Sequence, residues 1–235
     1  MATVEFSKNK SWEMFNEISH RYDFLNHVLS LGIDKYWRKV LIKSLPVKNN
    51  LSIIDVATGT GDVLFSLHKH YKGTISSAIG IDLAEGMLDK AKVKLKKYTY
   101  DITFKVGDAQ KLPFEESSVD SLTISFGIRN VPDYKKGISE LYRVCKPQGK
   151  VLILEFSIPK FRPLKWLYLF YFRFILPYLG AIVSGHHKAY SYLNKTVETF
   201  PQGKEFENTL KNIGFKDVKS TSLTFGVATL YEGLK

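Results

Sequence analysis

From about residue 51 onward, hydrophobic and polar positions alternate between two rhythms. Short apolar runs (LSIIDVA, SSAIGIDL, DITFKVGDA, VDSLTISFG and KVLILEFS) have the length and β-branched content of buried strands. Between them, Gly61 to Tyr71, Glu85 to Lys97 and YKKGISELYRVC carry the apolar spacing of amphipathic helices. Pro147-Gln148-Gly149 predicts a turn leading into the fifth strand. Strands separated by helices need right-handed crossovers, so the pattern predicts an α/β fold with a mostly parallel sheet and helices on both faces.

Near the end the rhythm changes. EFENTLKNIG reads as a helix closed by Gly214, and FKDVKSTSL and TFGVATLYEG follow with no helix between them. That predicts a C-terminal antiparallel pair appended to the parallel sheet. An aromatic-rich insertion, about 159–200, separates the fifth strand from this last helix, and a helical cover over about 10–45 precedes the first strand. Everything fits a single domain over 1–235. Residues 166–183, WLYLFYFRFILPYLGAIV, have the length of a membrane span. Yet Arg173 sits mid-segment, where a charge costs roughly 2.5–3.5 kcal/mol at a bilayer centre. Pro177 interrupts the run, and the chain must return to finish the same sheet. An apolar lid or an interfacial helix is the better expectation.

Composition narrows the setting. An apolar fraction of 44% supports a packed core. The lone cysteine, Cys145, fits a reducing compartment, and MATVEFSKNK lacks the apolar centre of a signal peptide, so a cytoplasmic location is expected. The 34 basic against 23 acidic residues, net +11, suit an anionic membrane surface or nucleic acid, or reflect a generally Lys-rich composition.

The candidate chemistry begins at IIDVATGTGDVLF, residues 53–65. A strand, a glycine turn and a helix form a nucleotide-cofactor arrangement, in which Gly59 and Gly61 admit close approach to the backbone. Asp82, 21 residues beyond Gly61, ends the second strand where an acid can bind both ribose hydroxyls, and Asp108 follows the third strand at the same rim. A dinucleotide would bring a pyrophosphate between Asp55 and Asp62, and Leu64 replaces the third glycine of its fingerprint. S-adenosyl-L-methionine carries an ammonium, a sulfonium and a carboxylate but no phosphate, and suits this turn better. No cluster with metal-ligand spacing is visible, so no metal is expected.

These features resemble the class I methyltransferases, with their seven-stranded Rossmann-like sheet. Further stretches narrow the resemblance: YDFLNHVLSLGIDKYWRK (22–39), DVATGTGD (55–62), LPFEESSVDSLTISFGIRNVPD (112–133), ELYRVCKPQGKVLILEFSIP (140–159) and YSYLNKTVETFP (190–201). They resemble the C-methyltransferases of ubiquinone and menaquinone biosynthesis from about Met14 to the end of the chain. The departures are Gln148, where glycine is common, and Cys145, where leucine is usual. The resemblance implies S-adenosyl-L-methionine contacts at Thr60, Asp82, Asp108 with Ala109, and Ser125, beside Asp55, Gly59 and Gly61 of the turn.

The implied reaction places the sulfonium methyl on a ring carbon of a prenylated quinol. Demethylmenaquinol is favoured over the 2-polyprenyl-6-methoxy-1,4-benzoquinol precursor of ubiquinone, because the wording DVATGTGD is closer to menaquinone-only relatives. A quinol carbon attacks once a neighbouring hydroxyl loses its proton, and alignment alone could supply roughly 7–11 kcal/mol. Arg129, just past the fourth strand, is expected to stabilise the phenolate or orient a water, since its pKa makes it a poor base. A tether between insertion and core is its competing role. Asn130 would position the ring, with Tyr22 and Asp23 as alternative proton acceptors. His20, His27, His68 and His70 show no catalytic spacing, and the His186–His187 pair reads as a solvated loop.

The insertion, in KFRPLKWLYLFYFRF, combines basic and aromatic residues as interfacial elements do, so peripheral binding to an anionic membrane is expected, with a homodimer as a further possibility. Three rival functions compete. A nucleic-acid methyltransferase would place an N-P-P-[YF] type motif where FGIRNVP stands, so no nucleic-acid partner is expected. A dinucleotide oxidoreductase is disfavoured by charge, and a non-catalytic scaffold by the intact glycine turn.

Overall fold

The computed structural model describes residues 11–19, 30, 32–175 and 187–235. Its frame is a seven-stranded sheet in the order β3-β2-β1-β4-β5-β7-β6. The strands are β1 Leu51–Val56, β2 Ile75–Asp82, β3 Thr103–Val106, β4 Val119–Ser125, β5 Cys145–Phe156, β6 Lys216–Leu223 and β7 Ala228–Leu234. β1 to β5 run parallel, and β7 runs antiparallel to both β5 and β6. The C-terminal antiparallel pair is therefore as expected.

The helices are α1 Ser11–Ile18, α2 Ile33–Lys43, α3 Asp62–His70, α4 Glu85–Leu95, α5 Tyr134–Val144, α6 Arg162–Phe170, α7 His187–Thr199 and α8 Lys204–Ile213, with a π-helical turn, Tyr171–Ile175, continuing α6. Strands buried on both faces read as continuous apolar runs rather than alternating ones. Along β1, Ile54 and Val56 enter one core cluster while Leu51 and Ile53 enter the other. Along β5, Val151 and Ile153 part from Leu152 and Leu154 in the same way. Each such side chain contributes about 1.5–3 kcal/mol by leaving water. Helix α2 packs Trp37, Leu41 and Ile42 against Val63, Leu64 and Leu67 of α3, so this part of the N-terminal cover belongs to the core.

Three local expectations are corrected. The turn at Pro147-Gln148-Gly149 is absorbed into β5. Pairing jumps from Val119↔Cys145 to Ser121↔Lys150, and Gln148 takes up the surplus chain at φ 62°. The third strand shrinks to an exposed edge, paired to β2 alone. Thr224-Phe225-Gly226 leaves the last strand and makes a tight 3-10 turn between β6 and β7. Among the described residues, no helix is long and apolar enough to cross a membrane. Residues 176–183 of the long apolar segment, including Pro177, lie outside the described residues.

Candidate active site

Strand order reverses between β1 and β4, which open a crevice at their carboxyl ends. The turns that follow these two strands build the site. After β1, Ala57, Gly59 and Gly61 all have positive φ (50°, 56° and 82°), which bends the chain tightly into α3. After β4, a Cβ on Gly127 would lie 2.5 Å from Ala57 Cβ, so only glycine lets the two turns meet.

The four acids expected at this rim fall into different environments. Asp55 is buried beneath the β1 turn and accepts from Thr58 Oγ1 at 2.7 Å and Thr123 Oγ1 at 2.6 Å. Burial pushes its carboxyl up to about 7, against the two hydroxyls that favour ionisation. Asp62 is held by Arg38 Nη2 at 2.9 Å and Lys94 Nζ at 2.6 Å. The expected flanking pair of free carboxylates is therefore corrected: one is enclosed and the other is ion-paired, so neither faces a ligand as a bare charge. Thr60, also buried, accepts from Lys94 Nζ at 3.1 Å. A Cβ on Gly61 would meet the Phe104 ring at 2.8 Å. The Thr60 side chain and Gly61, which has none, shape the turn from behind, and Thr60 borders a small cavity of about 40 Å³.

Asp82 differs. It lines the main cavity while accepting from the N–H groups of Gly59 and Ala84, each at 2.8 Å, which locks the β1 turn to the end of β2. Burial raises its carboxyl, opposed by those N–H groups. Asp108 accepts from Gln110 N at 2.8 Å and lines the same cavity, next to Ala109.

The cavity measures about 490 Å³ and brings together Gly59, Asp82, Asp108, Ala109, Ser125 and Asn130 from the expected set. It also takes in residues that the sequence did not flag: Trp12 and Phe15 of α1, and Leu83 and Met87 beside Asp82. Ser125 Oγ and Asn130 Oδ1 are buried at its wall without a protein partner. Such atoms cost about 1–3 kcal/mol unless something pairs with them. Apolar walls at Leu83 and Met87, a carboxylate at Asp82 and unpaired polar atoms at the β4 end fit a nucleoside with a polar amino-acid tail. Among the described residues, no group of three His, Cys, Asp or Glu side chains could hold a metal ion.

Arg129 does not line this cavity. It is buried behind the wall, with Nη1 2.6 Å from Glu155 Oε1 and 2.5 Å from the Phe126 carbonyl, and its guanidinium lies over the Phe156 ring. Glu155, 1% exposed, also accepts from Phe156 N at 2.8 Å, and burial raises its carboxyl against the opposing Arg129 charge. The FGIRN turn is thus pinned from below by an acid that sequence reading passed over. Its signal was visible as the single charge in the apolar run VLILEF. Helix α1 closes the other side. Ser11 Oγ donates to the Asn130 carbonyl at 3.4 Å, and Gly86 N donates to Asn16 Oδ1 at 2.9 Å. Tyr22, Asp23, His20, His27 and His186 lie outside the described residues.

The insertion presents an aromatic ladder. Trp166 and Phe170 stack at 5.7 Å and Phe170 and Phe174 follow at 5.4 Å, with Trp166 70% exposed. Lys160, Arg162 and Lys165 are exposed at its start.

A family model described as the ubiE/COQ5 methyltransferase family matches residues 3–235. The "Ubiquinone/menaquinone biosynthesis C-methyltransferase UbiE" of Geotalea daltonii is 45% identical over 228 residues, 96% of each chain. The "Demethylmenaquinone methyltransferase" of Bacteroides fragilis is 41% identical over 225 residues, 95% of this chain and 91% of that one. Among solved structures, a SAM-dependent methyltransferase of Thermotoga maritima, described as a possible histamine N-methyltransferase, superposes with a TM-score of 0.68 at 17% identity, covering 95% and 99% of the two chains. A putative S-adenosyl-L-methionine-dependent methyltransferase of Methanococcus maripaludis gives 0.62 at 18%, covering 100% and 97%. The solved structures share the fold, a class I methyltransferase sheet.

Proposed function

The chain belongs to the ubiE/COQ5 methyltransferase family, and on that premise we propose that it methylates a ring carbon of a prenylated quinol, with S-adenosyl-L-methionine as cofactor. The substrate we favour is demethylmenaquinol, giving menaquinol at the last step of menaquinone biosynthesis. The observation that carries the reading is the cavity at the switch point, where Asp82 and the unpaired Ser125 Oγ and Asn130 Oδ1 meet.

In this reading Asp82 takes the ribose hydroxyls with its remaining lone pairs, and Asp108 and Ala109 meet the base between Leu83 and Met87. The backbone at Gly59, Thr60 and Gly61 meets the amino-acid end, next to Ser125. Bound there, S-adenosyl-L-methionine supplies an electrophilic methyl group. Asn130 orients the quinol by a hydrogen bond from a ring hydroxyl to Oδ1. Arg129 acts through the turn: with Glu155 it fixes Phe126 and Asn130, and its positive charge near the wall favours a phenolate. Tyr22 and Asp23 are the alternative acceptors for the proton that the quinol gives up. Trp12 and Phe15 exclude water above the site, which strengthens these polar interactions.

The prenyl tail of the substrate resides in a bilayer, so the protein works at the cytoplasmic face of the membrane as a peripheral enzyme. The exposed ladder Trp166–Phe170–Phe174, preceded by three basic residues, is the docking element.

Incubation with methyl-labelled S-adenosyl-L-methionine and each reduced quinol tests the reading. Label is expected on the naphthoquinol ring carbon. No transfer to either ring would refute quinol methylation. Faster transfer to the methoxy-benzoquinol would reverse the substrate order, a second reading supported by the Geotalea daltonii relative, whose name covers both pathways.

A further inference from the structure

The turn between β6 and β7 holds an unusual aromatic residue. Phe225 is 84% exposed, the most exposed of the large hydrophobic side chains among the described residues. Its backbone is left-handed (φ 57°), as are those of its neighbours Thr224 (φ 46°) and Gly226 (φ 96°). A β-branched residue at positive φ is a strong outlier, and a run of three needs surroundings that impose it. Those surroundings are present. Trp37 Nε1 donates to Thr224 Oγ1 at 2.7 Å, Val227 N donates to the Thr224 carbonyl at 3.2 Å, and Ser157 Oγ donates to the Gly226 carbonyl at 2.8 Å. The effect of this clamping is to hold a bare phenyl ring in water, where it forms no core and touches no site.

Its position supplies a reason. Phe156 pairs with Ala228, so the turn lies at the carboxyl edge of the sheet, the edge that carries the cavity. A Cβ on Gly226 would lie 3.2 Å from Pro159 Cα, so the turn rests on the segment that leads through Lys160 and Phe161 into α6. Phe161 is itself 69% exposed. The strained tip thus sits against the segment that leads into the aromatic ladder, where Lys160, Arg162 and Lys165 are exposed.

We propose that Phe225 is a second membrane wedge, inserted together with Phe161 and the Trp166–Phe170–Phe174 ladder into an anionic lipid surface. The proposal rests on the peripheral-membrane reading above and adds a second anchor point, drawn from a different part of the chain. Two anchors define an orientation where one leaves rotation free, and this orientation turns the cavity edge toward the bilayer. The basic residues select a negatively charged surface over an apolar protein partner. The backbone strain at Phe225 follows from the same role, because a relaxed turn would let the ring fold back.

Vesicles of phosphatidylglycerol and phosphatidylethanolamine provide the test, with Phe225→Ser and Phe225→Gly beside the wild type. Both variants are expected to bind about tenfold more weakly. Phe225→Gly should also melt no lower than wild type, because glycine relieves the left-handed strain. Turnover of a quinol whose tail is short enough to dissolve in water should stay unchanged. In a Trp166→Phe background, Phe225→Trp should be quenched by brominated lipid beyond its parent. If the wild type binds and both variants bind within twofold of it, with no added quenching, the wedge is refuted and the membrane reading survives. If the wild type does not bind these vesicles, the membrane reading fails, and the wedge falls with it. If sedimentation velocity instead shows a dimer that Phe225→Ser dissociates, the ring belongs to an interface between copies and the proposal is overturned.

Discussion

The turns after β1 and after β4 meet at the switch point and use their polar groups in opposite ways. After β1, side chains consume one another: Asp55 is held by Thr58 and Thr123, and Asp62 and Thr60 by Lys94, with Arg38 joining at Asp62. After β4, Ser125 and Asn130 line the cavity while their Oγ and Oδ1 atoms are buried without a protein partner, and a buried ion pair braces the turn from behind. The first turn spends its chemistry on keeping a backbone shape for a ligand to lie against. The second leaves buried polar atoms unpaired, which a fold tolerates where a small shift lets a ligand complete them. On the proposed function, substrate chemistry is assigned to the β4 side.

The largest expected effect tests the brace. Glu155→Ala leaves Arg129 as a buried charge without its counter-ion, a loss of about 3–5 kcal/mol. Urea unfolding should show it, with Glu155→Gln less affected because an amide oxygen can still accept. Asp62→Ala is the matched change on the β1 side and should cost about 1 kcal/mol or less, since Asp62 is partly exposed and Arg38 keeps Asp34. Equal losses in the two alanine variants would erase the contrast between the turns.

Legibility in the sequence followed the same division. Strand–turn–helix, the acid at the end of β2 and the appended antiparallel pair depend on nearby residues, and all were readable. The condition of Asp55 and Asp62 was not, because their partners arrive from β4, α2 and α4, far along the chain. The inference of a sulfonium cofactor from two free flanking carboxylates thus reached the family's cofactor by a faulty step. Leu64 in place of the third glycine and Asp82 carried more of the weight. Arg129 was marked from FGIRN alone, but its buried position is tied to Glu155, whose charge within VLILEF was read only as strand. Phe225 was taken for the start of a strand because TFGVATLYEG is rich in apolar and aromatic residues with no helix spacing. The positive φ values that make it a turn are set by Trp37 and Ser157, which no local pattern reveals.

A middle-sized effect concerns pH. Folding holds the Asp55 carboxyl at about 7, above the roughly 3.9 of an unfolded chain, so the folded state binds this proton more tightly. Its stabilising contribution is full below the unfolded value and is lost as pH rises through the folded one. Asp82 repels the ionised form and Arg38 attracts it, both more weakly than burial acts. Asp55→Asn removes the titration, so the variant should gain on the wild type by roughly 2 kcal/mol between pH 5 and pH 7. Cofactor affinity should stay within a few fold, as suits a group that supports the turn without meeting the ligand. A stability gap that is flat with pH would show that Asp55 is ionised in the fold.

The smallest effect bears most directly on the chemistry. Asn130→Ala removes the unpaired Oδ1 while leaving intact the backbone bonds that hold the turn, Asn130 N to the Gly127 carbonyl and Ser11 Oγ to the Asn130 carbonyl. The fold loses an unsatisfied buried acceptor, so stability should hold or rise slightly. If Asn130 orients the quinol, the loss appears in turnover, about tenfold in kcat for one hydrogen bond made in the transition state. Calorimetry with S-adenosyl-L-methionine should give an unchanged Kd. The two readouts separate the roles. A fall in cofactor affinity with kcat preserved would move Asn130 to the cofactor and leave the β4 turn without a substrate contact, making the two turns alike in purpose. A fall in kcat alone would keep them distinct, with the ring placed by the turn that Glu155 braces.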